Sequence, residues 1–101
     1  MKFVNLTPHV INLNDGTSLP VSGMVCRISS THSEFDPSGI CYISFGEVIN
    51  LPDPADGVTY VVSGLVAGVV GRPDVVSPAT GHPQTVRKDG LIVSVPGFVR
   101  G

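Results

Sequence analysis

The sequence predicts a small α+β domain, mainly antiparallel β-strands in a small sheet or barrel-like arrangement, with one short helix. Most apolar residues fall in short alternating runs separated by glycine, proline and Asp-Gly turn signals, a pattern typical of strands. Residues 64–70 instead follow a helical period. A length of 101 residues allows one modest core, so we expect a single domain over residues 1–101.

The N-terminal segment is predicted to be extended and interrupted by turns. Residues 3–13 form an apolar run in which Pro8 imposes a break or an edge position. Asp15-Gly16 follows, a dipeptide typical of tight turns between strands. Residues 17–23 contain a proline and two serines and are predicted to be irregular.

Two alternating runs are predicted to pair as a β-hairpin. They span residues 24–30 and 40–49, and the polar, turn-rich segment between them centres the hairpin near residues 33–34. This register places Cys26 opposite Cys41. We expect a pair of buried, reduced thiols across the ladder rather than a metal or redox pair.

In residues 58–78 the spacing of the apolar residues changes from a strand period to a helical period. This stretch is predicted to be the centre of the fold. Residues 58–63 alternate as in a buried strand. Ser63 is suited to cap a helix, and Gly71 and Arg72-Pro73 are suited to end it. The apolar positions expected on one side of this two-turn helix are Leu65, Val66, Val69 and Val70.

The rest of the chain is predicted to be loops and a second hairpin. Residues 50–57 hold two prolines and an Asp-Gly, which favours a loop. Residues 84–88 and 91–95 flank Asp89-Gly90 and are predicted to pair. Residues 98–100 are expected to form a short terminal extension.

The charge distribution favours a small anionic partner. The formal net charge of −2 argues against a nucleic-acid polymer or an anionic membrane. Residues 1–70 hold two basic and six acidic residues, whereas residues 71–101 hold four basic and two acidic residues. A locally positive region in an acidic chain suits a small anion better than a long one.

The composition also predicts self-association. Hydrophobic residues make up 42% of the chain and charged residues 14%, and a small domain cannot bury so much apolar surface alone. We therefore expect a homo-oligomer. No apolar run has the length of a membrane helix or a signal peptide, so we expect no membrane partner and a cytoplasmic location.

The sequence offers no catalytic, metal or cofactor motif. His9, His32 and His82 do not fall in metal-ligand spacing with one another or with the cysteines. His9 is a candidate general base or ligand contact, and a partly buried histidine bonded to the backbone is the alternative. A triad of Ser63 with His9 and Asp74 is conceivable, but no nucleophile-elbow motif surrounds Ser63 and no P-loop is present.

The Arg72-Pro73-Asp74 step is the most specific candidate for ligand recognition. An arginine can fork a phosphate and a nearby aspartate can hold ribose hydroxyls, while an intramolecular ion pair is the equally favoured alternative. Free amides after Ser63 are suited to an anion. The candidate ligand-binding residues are Thr7, His9, Tyr60, Ser63, Gly64, Arg72, Asp74 and Arg87.

Three segments resemble a known family. VNLTPHVINL at the N-terminus, with LPDPADGVTYVVSGLVA and RPDVVSP later, resembles small proteins encoded in bacteriophages and bacteria that open with an NLTPH motif. The likeness covers most of the chain and implies that the chain is encoded in a bacteriophage or a bacterium. Small oligomeric phage proteins of this kind are similar to sponges that sequester nucleotide signals of bacterial immunity, such as cyclic ADP-ribose variants or cyclic dinucleotides.

Three functions remain open on this basis. The first is a phage anti-defence protein that binds such a nucleotide without catalysis, in the host cytoplasm. The second is a small hydrolase that cleaves the nucleotide through His9 or His82. The third is a phage structural or assembly protein with no small-molecule site.

Overall fold

Four strands form the central sheet of the computed structural model, which describes residues 2–100. The sheet has the order β1-β6-β7-β10, in which β6 runs parallel to both neighbours and β10 is antiparallel to β7. The β2–β3, β4–β5 and β8–β9 pairs are antiparallel. In chain order the elements are β1 (Lys2–Asn5), β2 (Ile11–Asn12), β3 (Ser18–Leu19), β4 (Arg27–His32), β5 (Ile43–Ile49), β6 (Val58–Val61), α1 (Gly64–Val70), β7 (Val75–Pro78), β8 (Val86–Lys88), β9 (Leu91–Ser94) and β10 (Phe98–Arg100).

The predicted class, a small α+β domain with one short helix, is confirmed. Antiparallel pairs outnumber parallel ones, although the parallel β1-β6-β7 unit was not predicted. The helix is seven residues long, and no helix within residues 2–100 has the length and apolarity needed to cross a membrane.

The β6–α1–β7 unit follows from local signals that the sequence displays. The Ser63 hydroxyl accepts a hydrogen bond from the Val66 amide at 3.3 Å, which caps α1 as predicted. Gly71 takes the left-handed conformation, with φ of 63°, and its amide donates to the Ala67 carbonyl. β6 and β7 read as near-continuous apolar runs because parallel strands of this kind are covered on both faces.

The predicted buried side of α1 is wrong at two positions. Leu65 and Val69 are exposed, while Val66 and Ala67 are buried and Val70 is partly buried. Both sets share the spacing i, i+1, i+4. The helical period predicts how many positions lie on the buried face. Where apolar residues stand at both edges of that face, the period does not predict which edge turns toward the core.

The core consists of two clusters on opposite faces of the central sheet. Because successive residues of a strand point to opposite faces, Tyr60 joins one cluster and Val61 the other. The first cluster includes the helix and contains Leu6, Cys26, Tyr60, Val62, Val66, Ala67 and Val75. The second contains Ile11, Val61, Val76 and Val95.

The β4–β5 hairpin forms as predicted, but its predicted register is wrong. His32 pairs with Ile43, so the hairpin centres near residues 37–38 rather than 33–34. Asp36 sets this turn, because its carboxylate accepts from the amides of Ser38 and Ile40. Cys26 therefore does not face Cys41: Cys26 is buried in the core, Cys41 lies near the turn, and both are free thiols.

Two further segments differ from the prediction. Residues 17–23 were expected to be irregular, but Ser18–Leu19 pairs with β2 across the Asp15-Gly16 turn. Phe98–Arg100 was expected to be a terminal extension, but it forms an edge of the central sheet, and Phe98 stacks on Phe3 with ring centroids 4.9 Å apart. The hairpin around Asp89-Gly90 is confirmed, with φ values of 53° and 78° at the two turn residues.

An ion pair closes the loop between α1 and β7. The Arg72 Nε donates to Asp74 Oδ1 at 2.9 Å, a second guanidinium nitrogen bonds the other carboxylate oxygen, and Nη1 donates to the Pro52 carbonyl at 3.1 Å. The hydrogen bond from Arg72 lowers the pKa of Asp74. The pair thus ties the helix exit to the loop that precedes β6.

This ion pair predicts an acid-sensitive contribution to stability. Because the pKa of Asp74 is lower in the folded chain, its contribution is complete above the ordinary value of 3.8 and is lost as the pH falls through the folded value. We expect Asp74→Asn to unfold with a shallower loss of stability between about pH 5 and pH 2 than the wild type. Urea unfolding followed by circular dichroism at each pH measures this slope.

Glu34→Gln, near the exposed end of the β4–β5 hairpin, is the control for loss of one negative charge. Equal acid slopes in Asp74→Asn and the wild type would contradict the assignment.

Candidate functional site

A crevice of about 520 Å³ opens at the carboxyl ends of the parallel strands. Three of its sides are formed by the segment after β1, by Ser63, two residues after β6, and by the residues that end and follow β7. The fourth side is formed by β9 and the residue that follows it. Ligands of α/β sheets commonly bind at this edge, where the loops after the strands meet. The lining residues are Thr7, Pro8, His9, Val10, Ile11, Asn12, Ser63, Pro78, Thr80, Ile92, Val93, Ser94 and Val95.

The NLTPH segment forms its side of the crevice through a buried amide. Asn5 Nδ2 donates to the carbonyls of His9, at 2.8 Å, and Leu19, at 3.2 Å. Asn5 Oδ1 accepts from the Thr7 amide at 3.0 Å and from the Thr7 hydroxyl at 2.7 Å. Both amide hydrogens and both acceptor positions of this side chain are therefore used within the chain.

Thr7 supports the loop more than it faces the crevice. Its hydroxyl lies within hydrogen-bond distance of Asn5 Oδ1 and of the His9 carbonyl, and it accepts weakly from the His9 amide at 3.4 Å. A hydroxyl has one proton, so these internal partners occupy it. His9 and Val10, in contrast, are exposed at the mouth.

Backbone hydrogen bonds join the end of β9 to the segment that follows β2. The Val95 amide donates to the Asn12 carbonyl at 3.0 Å, and the Asn14 amide donates to the Val95 carbonyl at 2.9 Å. The Ser94 hydroxyl bonds the side-chain oxygen of Asn14. These contacts place residues 92–95 beside the segment that contains β2.

A cationic side chain lies at the rim. Arg87 pairs with Ile92 across the β8–β9 hairpin, so the two side chains share a face of the ladder. Arg87 Nη2 donates to the carbonyl of Thr80 at 2.6 Å, and Thr80 lines the crevice. A guanidinium has five donors, so this bond leaves it with donors for an anion.

The structure brings together some of the predicted site residues and separates others. Thr7, His9 and Ser63 line the crevice, Arg87 lies at its rim, and Gly64 lines a shallower depression that shares Pro78 and Thr80 with it. The Ser63 oxygen is engaged as the helix cap.

Tyr60, Arg72 and Asp74 lie elsewhere. Tyr60 belongs to the first core cluster and its hydroxyl donates to the carbonyl of the exposed Asp53, while Arg72 is bonded to Asp74. Because α1 leads the chain back along the sheet, Ser63 and Arg72 are at opposite ends of a helix about 10 Å long. In the structure Arg72 and Asp74 form an intramolecular ion pair, which was the equally favoured alternative to ligand recognition.

Sequence reasoning missed the apolar wall and the residue that supports the loop. Ile92, Val93 and Asn12 line the crevice, and Asn5 fixes its NLTPH side. Asn5 was detectable, because an asparagine two residues before a threonine favours a local side-chain turn. The apolar wall on β9 was not detectable from the sequence, because its position depends on which strands lie side by side.

Neither a metal-binding group nor the conceivable serine triad is assembled in the part of the chain that the structure describes. Within residues 2–100 no group of three or more histidine, cysteine or carboxylate side chains is placed to hold a metal. Asp74 is at the far end of α1 from Ser63, so the conceivable triad with His9 is not assembled. His82 lines the neighbouring depression, and its Nδ1 accepts from the Gln84 amide at 3.0 Å.

Comparison of the chain with protein-family models, curated proteins and solved structures found no match in any of the three.

The buried amide predicts a large loss of stability when Asn5 is truncated. Asn5→Ala removes four hydrogen bonds, including those that Asn5 donates to the carbonyls of His9 and Leu19. We expect the free energy of unfolding to fall by about 2–4 kcal/mol. Urea unfolding at neutral pH measures it.

Two further variants test the cause. Asn5→Asp keeps the acceptor oxygens but has no donors, so we expect it to be at least as destabilising. Asn14→Ala removes an exposed asparagine and should cost within about 1 kcal/mol. Losses of similar size at Asn5 and Asn14 would show that the Asn5 network does not stabilise the loop.

Proposed function

We propose that this protein binds a small nucleotide in the carboxyl-edge crevice and sequesters it without chemical change. The observation that carries the proposal is one cavity that combines apolar walls with a polar and cationic rim. Its volume lies within the range of about 300–1,000 Å³ typical of small-molecule sites.

The two sides of the crevice match the two parts of a nucleotide. Val10, Ile11 and Val93 offer apolar surface to a flat base. Arg87 and His9 lie at the opening, where phosphate oxygens would remain near solvent.

Binding is favoured over serine-dependent hydrolysis because the conceivable triad of Ser63, His9 and Asp74 is not assembled. The Ser63 oxygen caps α1, and the predicted acidic partner of a triad is bonded to Arg72 at the other end of the helix. The resemblance to phage proteins that open with NLTPH supports a bacterial immune signal as the ligand. The proposed setting is the cytoplasm of an infected host.

A thermal-shift screen followed by ligand recovery tests this proposal. The protein is incubated with cyclic ADP-ribose, a cyclic dinucleotide, AMP and adenosine, and the melting temperature of each mixture is measured. We expect at least one nucleotide to stabilise the protein by mass action. Chromatography of the denatured mixture should then return that nucleotide intact.

The other outcomes identify the alternatives. A converted nucleotide would indicate a hydrolase. No stabilisation by any nucleotide would favour a structural or assembly protein.

Adjacent residues of β9 provide a matched pair of variants for the crevice. Ile92 lines it, whereas the neighbouring Leu91 is exposed and does not. Ile92→Asp places a carboxylate against the apolar wall and near the phosphate, so we expect the affinity for the stabilising nucleotide to fall at least tenfold, or about 1.4 kcal/mol. Isothermal titration measures the affinity.

Leu91→Asp is the control and should bind like the wild type. Equal affinities of both variants and the wild type would exclude the β9 wall from the site.

The role of Arg87 is tested by comparing a nucleotide with its nucleoside. Arg87→Gln keeps a donor for the Thr80 carbonyl but removes the charge. We expect weaker binding of AMP by about three- to tenfold, with adenosine unaffected, because only AMP carries phosphate. Lys88→Gln, the next residue of β8, is the charge-matched control. An equal loss for AMP and adenosine would mean that Arg87 supports the loop rather than the phosphate.

A further inference from the structure

A second cavity, called here the helix-side depression, adjoins the crevice at the end of β7. It has a volume of about 550 Å³ and shares Pro78 and Thr80 with the crevice. This volume again lies within the range of about 300–1,000 Å³ typical of small-molecule sites. The two shared residues, called here the ridge, separate one cavity from the other.

The two cavities extend to opposite faces of the central sheet. Val75 packs in the first core cluster, which includes the helix, and Val76 packs in the second. Successive residues of a strand alternate between the faces, so Ser77 points to the helix side, as does Val99, its partner on β10. The crevice is lined instead by Ile11 of the second cluster. A ligand larger than one nucleoside can therefore reach both cavities only by crossing the ridge.

A buried hydroxyl of the helix-side depression has no partner in the chain. Ser77 is 4% exposed, and its Oγ makes no hydrogen bond within residues 2–100. Every fully buried side-chain oxygen or nitrogen in that part of the chain has a partner, so the Ser77 hydroxyl must reach the surface. Ser77 lines the depression, and its small exposed area opens there. The hydroxyl is thus free to donate to a ligand and to accept from it.

The other lining groups of the depression suit a neutral, flat ligand part. His82 Nδ1 accepts from the Gln84 amide at 3.0 Å, so the ring proton is on Nε2, which remains a donor. Pro83 and Val99 supply apolar surface. Within residues 2–100 no lysine, arginine, aspartate or glutamate lines the depression. A base or a ribose matches these groups better than a free phosphate does.

A cationic side chain lies at the ridge between the two cavities. Arg87 Nη2 donates to the carbonyl of Thr80 at 2.6 Å, and Thr80 lines both cavities. The order across the end of β7 is therefore an apolar crevice, a guanidinium and a neutral depression. Two nucleosides joined by phosphate have the same order, with the negative charge in the middle and a neutral base at each end.

We propose that the ligand is a dinucleotide, with one base in the crevice and the other in the helix-side depression. The bridging phosphate crosses the ridge and pairs with Arg87, and the Ser77 hydroxyl bonds the second nucleoside. Because the first base occupies the crevice, this inference rests on the proposed function. It adds a second subsite and the chemical class of the ligand.

Comparison of a mononucleotide with a dinucleotide tests the second subsite. Isothermal titration is carried out with AMP and with ApA, which consists of two adenosines joined by one phosphate. We expect ApA to bind at least tenfold more tightly than AMP, because its second nucleoside contacts the depression. Val99→Asp places a carboxylate at the wall of the depression. This variant should lose most of the advantage of ApA and bind AMP as the wild type does.

Val21→Asp is the matched control for the added charge. Val21 is 43% exposed and Val99 44%, and Val21 lines neither cavity. Ser77→Ala is a milder variant that keeps the test decisive if Val99→Asp fails to fold. It removes one hydroxyl, so we expect it to weaken ApA by about three- to tenfold and to leave AMP unaffected. Circular dichroism checks the fold of each variant.

Equal affinities of AMP and ApA would overturn the inference and leave the proposed function standing. Tighter binding of ApA that neither Val99→Asp nor Ser77→Ala reduces would also overturn it, because the second nucleoside would then lie elsewhere. Failure of ApA to bind, where another nucleotide stabilises the protein, would exclude the dinucleotide alone. Absence of binding by every nucleotide would remove the proposed function as well.

Discussion

The buried side chain of Asn5 holds the structure around the crevice in place. It lies at the end of β1, between the core and the loop that leads to β2, and its amide satisfies backbone and hydroxyl groups of that loop. The same residue bonds the carbonyl of Leu19, so β3 is attached to the loop as well. A buried polar group that is fully bonded specifies one conformation, because every rearrangement leaves some partner unsatisfied.

Strand direction explains where the crevice lies relative to the Arg72–Asp74 pair. β1, β6 and β7 run parallel, so the segments that follow them meet at one edge. The helix between β6 and β7 carries the chain back to the other edge, which places the Arg72–Asp74 pair far from His9. The crevice and the Arg72–Asp74 ion pair therefore lie at opposite edges of the sheet.

Local signals in the sequence predicted the local structure well. Ser63 and Gly71 bound the helix, and Asp89-Gly90 forms its turn, because caps and tight turns depend on a few consecutive residues. The predicted register of the β4–β5 hairpin was wrong because Asp36 fixes a turn that composition alone did not single out. The exposure of Leu65 depends on how the helix rotates against the sheet.

The candidate site was only partly predictable for a related reason. His9 belongs to a conspicuous motif and was named from sequence, as was Arg87 in the basic C-terminal part. The wall formed by Ile92 and Val93 reaches the crevice through pairing of residues far apart in the chain, such as Asn12 with Val95. No local pattern encodes that contact.

The central claim is that the carboxyl-edge crevice is the binding site, and a nuclear magnetic resonance titration tests it most directly. Cyclic ADP-ribose is added to the ¹⁵N-labelled protein and the amide shifts are followed residue by residue. We expect the largest changes at residues 7, 9–12 and 92–95, with small changes at Arg72 and Asp74. Changes concentrated around Tyr60, Arg72 and Asp74, at the opposite edge, would contradict it.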